Sequence, residues 1–199
     1  LLFSLFGDHP DVRFSATSDF KQVGDVIYLV GTSKQELGAS ELAFMLTESG
    51  EAVGVGGQVP QLPEPTKNLD RYRALSQSIR DGLVTTAHDC SEGGLAVALA
   101  EMCIGGRMGA HIDIDGTGEA DVWGRLWGES LGRIVIAVSP EHNDTFLATM
   151  KGHETTVLGR VTAEPTLVIE DGLDDLLSLD VETMVEAWKG TLDLTGGVA

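Results

Sequence analysis

Leu83-Val84-Thr85-Thr86-Ala87-His88-Asp89-Cys90-Ser91-Glu92-Gly93-Gly94-Leu95-Ala96-Val97-Ala98-Leu99-Ala100-Glu101-Met102 passes from a β-branched apolar run, through polar groups and two glycines, into an apolar helical pattern. That order predicts a strand, a polar turn and a helix start. A helix N-terminus leaves backbone N–H groups unpaired and carries a partial positive charge, so anions settle there, and glycines let the backbone come close to them. His88, Asp89, Ser91, Gly93 and Gly94 are therefore candidates for holding a phosphate or a metal-bound phosphate. Asp89, followed three residues later by Glu92, also reads as a capping box. A purely structural reading stands beside this one. Glycines and a capping acid occur at such turns without any ligand, and His88 then serves as a satisfied turn histidine.

Outward from this segment, Asp25–Val30 alternates too little for a half-exposed strand and reads as a buried one. Ser40 starts a helix whose Leu42, Met45 and Leu46 share a side, after a turn at Gly38. Residues 50–66 hold Gly50, Gly54, Gly56 and Gly57, then Pro60, Pro63 and Pro65, which predicts a mobile loop. Asn68 is placed to cap a helix running to Arg80 with Leu69, Tyr72, Leu75 and Ile79 as its stripe, closed by Gly82. Gly105-Gly106 breaks the helix that follows the polar turn. Strands are predicted at Ala110–Ile114, Arg133–Val138, Thr155–Val161 and Thr166–Ile169, with a helix opened by Pro140 that turns Phe146, Leu147 and Met150 inward. Val181–Leu192 reads as a last helix burying Met184, Val185 and Trp188. Strands and helices interleave without a strict βα repeat. The fold class expected is α+β, a mixed β-sheet covered by helices, in one domain spanning 1–199. The chain opens on Leu1–Phe6 in mid-strand with no initiating methionine, which predicts a domain excised from a longer chain.

Composition narrows the function. Thirteen Lys and Arg against 31 Asp and Glu give a net charge of −18. Such a surface repels phosphate backbones, and no basic cluster offsets it, so nucleic-acid binding is excluded as an expectation. No apolar stretch is long enough to cross a bilayer, and the start lacks a secretory pattern, so a cytoplasmic protein is expected. Cys90 and Cys103 match neither a disulfide framework nor a zinc spacing and are expected to be free thiols. Trp123, Trp127 and Trp188 have no basic residues interleaved with them and read as core or interface aromatics.

The stretch His88–Ala96, with Leu99-Ala100-Glu101-Met102 behind it, resembles the signature of the phosphoribosylformylglycinamidine synthase family, in the C-terminal copy of its duplicated core. Three more segments resemble the family in its order: Phe20–Gly31, its entry strand; Glu36-Leu37-Gly38-Ala39-Ser40-Glu41, its Glu-Leu-Gly-Gly-Ser-Glu turn; and Trp127-Gly128-Glu129-Ser130-Leu131-Gly132-Arg133, its Phe-Gly-Glu-Ser-x-x-Arg loop. The fold implied is that of the C-terminal domain of aminoimidazole ribonucleotide synthetase. The activity implied is an ATP-dependent ligase of purine biosynthesis that turns formylglycinamide ribonucleotide, ATP and glutamine-derived ammonia into formylglycinamidine ribonucleotide, with ATP and Mg²⁺ as cofactors. Implied partners are the preceding domains of the same parent chain and a glutaminase subunit. In the earlier copy of this domain the matching aspartate binds magnesium and the Glu-Ser loop meets substrate, which adds Glu129, Ser130 and Arg133 to the nucleotide-binding candidates and makes Asp89 the metal candidate. The family's catalytic residues lie outside this domain, so none is assigned here and the isolated chain is expected to be inactive. Read from the residues alone, Glu129 and Arg133 stand four apart and could equally form an internal ion pair. Ala39 departs from the family's second glycine, which disfavours close approach of a ligand to that turn. A non-catalytic scaffold, or another ATP-using synthetase or kinase of the superfamily, is the alternative.

Overall fold

Val26–Val30 (β1) is buried at every position because it runs through the middle of a seven-stranded sheet covered on both faces there. The computed structural model describes residues 4, 6–9, 11–50 and 57–190. The remaining strands are β2 (Val84–Asp89), β3 (Gly109–Asp113), β4 (Ile134–Val138), β5 (Thr155–Thr162), β6 (Thr166–Asp171) and β7 (Asp174–Asp180). Their order across the sheet is β2-β4-β1-β5-β3-β6-β7; β3 and β6 pair in parallel and the other neighbouring strands antiparallel. This is the mixed, helix-covered α+β sheet expected.

Among the described residues the α-helices are α1 (Glu41–Glu48), α2 (Pro65–Arg80), α3 (Gly94–Gly106), α4 (Val122–Trp127), α5 (Asn143–Thr149) and α6 (Val181–Gly190). Side chains alternate across β1 and β4, as a pleated strand requires. Ile27, Leu29, Val135 and Ala137 join the main core with Leu95, Leu99 and Met102 of α3 and Met184 and Val185 of α6. Val26, Tyr28, Val30, Ile136 and Val138 face the other way, into a smaller core with Leu75 of α2 and Phe146 of α5. The Tyr28 and Phe146 rings pack at 5.0 Å, and the Tyr28 hydroxyl donates to Asn143 Oδ1, so the buried phenol is satisfied.

Several expectations are corrected. α2 begins at Pro65, inside the stretch expected to be loop, with Glu64 as its cap accepting from Thr66 and Lys67 N–H. A proline at the first helical position lacks only an N–H that would be unpaired anyway. Asn68 therefore caps nothing, and its side chain accepts from Arg71. The buried side of α2 is Arg71, Leu75 and Ser78, while Leu69 and Tyr72 are exposed. Gly105 and Gly106 continue α3 instead of breaking it. A Cβ at Gly106 would stand 2.2 Å from Phe20 O, so glycine there lets the chain at Phe20 lie across the helix end. Leu147 and Trp188 face solvent. α4 and β7 are two elements the sequence reading lacks. Of the expected loop, Gly50 and residues 57–66 are described: Gly50 lies in the turn after α1, residues 57–64 form no regular element, and Pro65 and Thr66 belong to α2; residues 1–3 and 5 of the expected opening strand, residues 51–56 and the expected helix end at Leu192 lie outside the described residues.

The turn at Ala39 bears on stability. Ala39 sits at φ 59°, a left-handed conformation that L side chains adopt at a cost. Ser40 follows as the α1 cap, its hydroxyl accepting from Ala43 N–H at 3.2 Å and donating to Leu37 O at 2.8 Å, which fixes the turn. Ala39→Gly is therefore expected to stabilise the chain by about 1 kcal/mol, less the added entropy of the unfolded glycine. Thermal unfolding reads this directly, and a lower melting temperature would show that the alanine is not strained.

Candidate functional site

β2 runs antiparallel to β4 with Asp89 opposite Ile134, so the end of one strand lies beside the start of the other. Cys90 N–H donates to Arg133 O at 3.0 Å and ties the polar turn to the loop that precedes β4. These two loops and α2 enclose a cleft of about 370 Å³. Asp89, Ser91, Glu129 and Arg133 of the sequence candidates line it, together with Tyr72, Pro60, Leu131 and Gly132, which sequence reasoning missed. The sequence pattern puts Tyr72 in the core stripe of α2. Arg71, one position before it, donates to Gly132 O at 3.1 Å and brings this turn of α2 to the loop, a contact that no local pattern in the sequence displays.

His88, Gly93, Gly94 and Ser130 are not among the cleft's walls. His88 Nε2 lies 2.8 Å from Glu101 Oε2, which clamps β2 to α3, and its Nδ1 lies 3.6 Å from Asp89. Ser130 is buried and its hydroxyl accepts from Lys34 N–H at 3.1 Å. Gly93 and Gly94 adopt φ of 76° and 64°. A Cβ at Gly94 would meet Gly128 O at 2.5 Å and Leu126 O at 2.8 Å, so this glycine is required by the packing of α3 on the α4–β4 loop.

The capping box does not form. The cap residue of α3 is Gly93, without a side-chain cap bond, and Asp89 ends β2 too far back along the chain to reach the helix start. Glu129 supplies the anion instead. One oxygen of its carboxylate accepts from Gly93 N–H at 3.0 Å and from Glu41 N–H at 2.9 Å, so a single charge serves the starts of α3 and α1. Among the described residues Glu129 and Arg133 form no ion pair. Arg133 is 1% exposed and spends its guanidinium on neutral acceptors: Nε to Ser130 O at 3.1 Å, Nη1 to Ser33 Oγ at 2.9 Å, and Nη2 to Gly128 O. Burial holds its pKa below the ordinary guanidinium value, opposed by Cys90, Glu36 and Glu129.

The cleft is thus walled by the acidic residues Asp89, Glu92 and Glu129, while the guanidinium of Arg133 behind it is buried and turned to protein acceptors. A bare polyphosphate would be repelled. A divalent cation changes that balance, since Mg²⁺ is commonly held by one or two carboxylates plus substrate phosphates. Among the described residues no group of three or more His, Cys, Asp or Glu could hold a metal alone. Asp89 and Glu92 share the cleft wall but belong to no cage made by protein alone, so a metal there would need ligands from a bound phosphate.

Cys90 and Cys103 are free and buried. Burial pushes the Cys90 thiol up to about 11 and Cys103 to about 12, so neither carries an appreciable thiolate population near neutrality. Alkylation of the folded chain by iodoacetamide at pH 7.5 is expected to be at least about 100-fold slower than in urea. Equal rates would show that these thiols are accessible and reactive.

Among the described residues no helix is long and apolar enough to cross a membrane. The fold has solved relatives. Phosphoribosylformylglycinamidine synthase II of Thermotoga maritima matches with a TM-score of 0.67 at 21% identity, covering 85% of this chain and 27% of that one. T. maritima PurL complexed with FGAR matches with a TM-score of 0.68 at 20% identity, covering 86% and 29%. The hydrogenase maturation protein HypE in complex with ATP matches more distantly, with a TM-score of 0.56 at 15% identity, covering 83% and 53%. At these identities the likeness is one of fold, and the chain spans between a quarter and a third of the length of the T. maritima enzyme. Residues 22–172 match the family model of the AIR synthase related protein, C-terminal domain, and with the greater part of its length so matched the chain belongs to that family.

Proposed function

We propose that this chain is a domain of an ATP-dependent purine ligase that converts formylglycinamide ribonucleotide, ATP and glutamine-derived ammonia into formylglycinamidine ribonucleotide. The observation that carries this reading is the fold it shares with T. maritima PurL, solved with ATP and with FGAR, joined to the four sequence segments that fall in the family's order. Its role there is to bind rather than to catalyse. The cleft at Asp89 takes the polyphosphate of a nucleotide with Mg²⁺, Asp89 and Glu92 holding the metal jointly with the phosphates, and Arg133 keeping the loop in shape. The ion supplies charge neutralisation; the chain supplies position. Preceding domains of a parent chain and a glutaminase subunit are the partners, and the cytoplasm is the compartment.

A scaffold without nucleotide is the second reading, and specific contacts favour it. Glu129 already fills the anion position at α3, and all three Arg133 nitrogens are engaged. Calorimetric titration of the chain with Mg·ATP separates the two. For the binding reading, Asp89→Ala is expected to weaken Mg·ATP at least about tenfold while leaving the melting temperature within about 2 °C, since the side chain is largely exposed and contributes little to folding. Absence of binding by the unaltered chain, or unchanged binding by Asp89→Ala, leaves the scaffold. Ammonia-dependent ADP formation by the parent protein, with and without formylglycinamide ribonucleotide, tests the ligase assignment itself.

A further inference from the structure

The two edges of the sheet are treated differently. At the β2 edge the incoming chain pairs with the strand, Thr17 N–H donating to Thr85 O at 3.4 Å and Ala87 N–H donating to Thr17 O at 3.0 Å. At the other edge, among the described residues, no strand follows β7. Its sequence is Asp174-Asp175-Leu176-Leu177-Ser178-Leu179-Asp180, and every position but Leu177 is exposed. An open edge carries unpaired N–H and C=O groups that a further strand can satisfy.

Beside this edge lies an apolar hollow of about 260 Å³, walled by Trp123, Leu126 and Trp127 of α4 and by Leu176 and Leu177 of β7. Trp123 is 53% exposed although it is among the largest apolar side chains of the protein. The strands beside α4 are rich in carboxylates. Asp113, Glu170 and Asp175 stand in register across β3, β6 and β7, and Asp171 stands opposite Asp174. Arg125 is spent on Asp171, at 2.8 Å through Nη1, and His111 lies 3.0 Å from Glu170. Asp113 is half-buried and accepts from Asp115 and Gly172 N–H, while Asp174 and Asp175 are exposed and, among the described residues, are in no ion pair.

A second copy of the chain is a poor occupant. Antiparallel pairing of β7 with its own copy about Leu177 sets Asp174 against Asp180 twice, and like charges directly opposite are destabilising. The copies also repel as wholes, at −18 each. A cationic strand reverses both effects. We propose that β7 and the adjoining hollow form a docking surface for an extended, Lys- or Arg-bearing segment of a different polypeptide, which adds an eighth strand to the sheet and seats a large apolar side chain between Trp123, Trp127 and Leu176. Backbone pairing supplies affinity and the alternation of basic and apolar side chains supplies selectivity.

The test is titration of the 199-residue chain with the blocked heptapeptide Lys-Val-Lys-Leu-Lys-Val-Lys at about 0.15 M salt, followed by tryptophan fluorescence and amide shifts. The expected result is saturable binding with shifts confined to the Trp123 indole and the Leu176–Asp180 amides. Trp123→Ala, which removes an exposed side chain and is checked for fold by circular dichroism, is expected to lower affinity at least about tenfold. A peptide N-methylated at its three central residues, or one with Glu in place of Lys, is expected not to bind. Absence of binding overturns the proposal. So does binding that Trp123→Ala and N-methylation leave unchanged, or shifts scattered over the acidic surface, because each of these reports charge attraction without a docking edge.

Discussion

Replacing Arg133 by methionine is expected to lower stability by about 3 kcal/mol, a fall of about 10 °C in melting temperature for a chain of this size. Methionine fills much of the volume, so the loss is not one of packing. What it removes is the donor set for three buried acceptors, Ser130 O, Ser33 Oγ and Gly128 O, each of which then lies away from water with its guanidinium partner gone. An unmade hydrogen bond in a buried setting costs about 1–3 kcal/mol per group. Release of the burial cost of an uncompensated cation offsets part of that sum, which is why the expected figure is near 3 and not the full total. Arg133→Lys does not rescue, since one ammonium cannot reach three acceptors arranged around a planar fork. The damage should be visible at a distance. The loop from Gly128 to Arg133 carries Glu129, so the Glu41 and Gly93 amides are expected to lose exchange protection in either variant. Urea unfolding with less than about 1 kcal/mol of change, and unaltered protection at those two amides, would contradict the assignment of Arg133 as the internal tie of this loop.

What could be read from the sequence and what could not follows from the range of the interactions involved. β1, β4, β5 and β6 declared themselves because an apolar or alternating run is a local signal. So did Ser40, whose hydroxyl caps the turn beside it. β7 was invisible because its ends are Asp174, Asp175 and Asp180, residues that strands avoid unless they lie on a charged edge, and edge position is a property of the whole sheet. α4 was hidden for a related reason: six residues with a glycine in the middle have too little periodicity to register. The continuation of α3 through Gly105-Gly106 is likewise decided from outside, by Phe20 lying against it. At the site, sequence grouped His88, Asp89, Ser91, Gly93 and Gly94 because they are adjacent. Adjacent residues at the end of a strand point to opposite faces, however, and the fold sends His88 to Glu101 of α3 while Asp89 and Ser91 stay with the cleft. Glu129 could be named as a site residue from its motif, but its task of joining two helix starts required α1, known only once Glu41 is brought to it.

Gly94→Ala distinguishes the packing role of the double glycine from a ligand-binding one, and it is expected to cost about 3–4 kcal/mol in the absence of any nucleotide. Two terms add. The residue sits at φ 64°, where an L side chain costs roughly 1–2 kcal/mol. Its new Cβ would also stand 2.5 Å from Gly128 O, 2.8 Å from Leu126 O and 3.0 Å from Trp127 C. All three are backbone atoms of the segment joining α4 to the Glu129 loop, so no side-chain rotation relieves them, and either α3 or that segment must move. Gly93→Ala is the control within the same pair. It shares the left-handed backbone, but its nearest obstruction is the side chain of Val97, at 2.3 Å, which a Val97→Ala change in the same chain removes. The double variant Gly93→Ala/Val97→Ala is thus expected to recover part of the loss caused by Gly93→Ala, while no single side-chain truncation recovers Gly94→Ala. Should Gly94→Ala instead melt within about 2 °C of the unaltered chain and lose only Mg·ATP binding, the glycine would be there for the approach of a phosphate, and the packing account of this turn would be wrong.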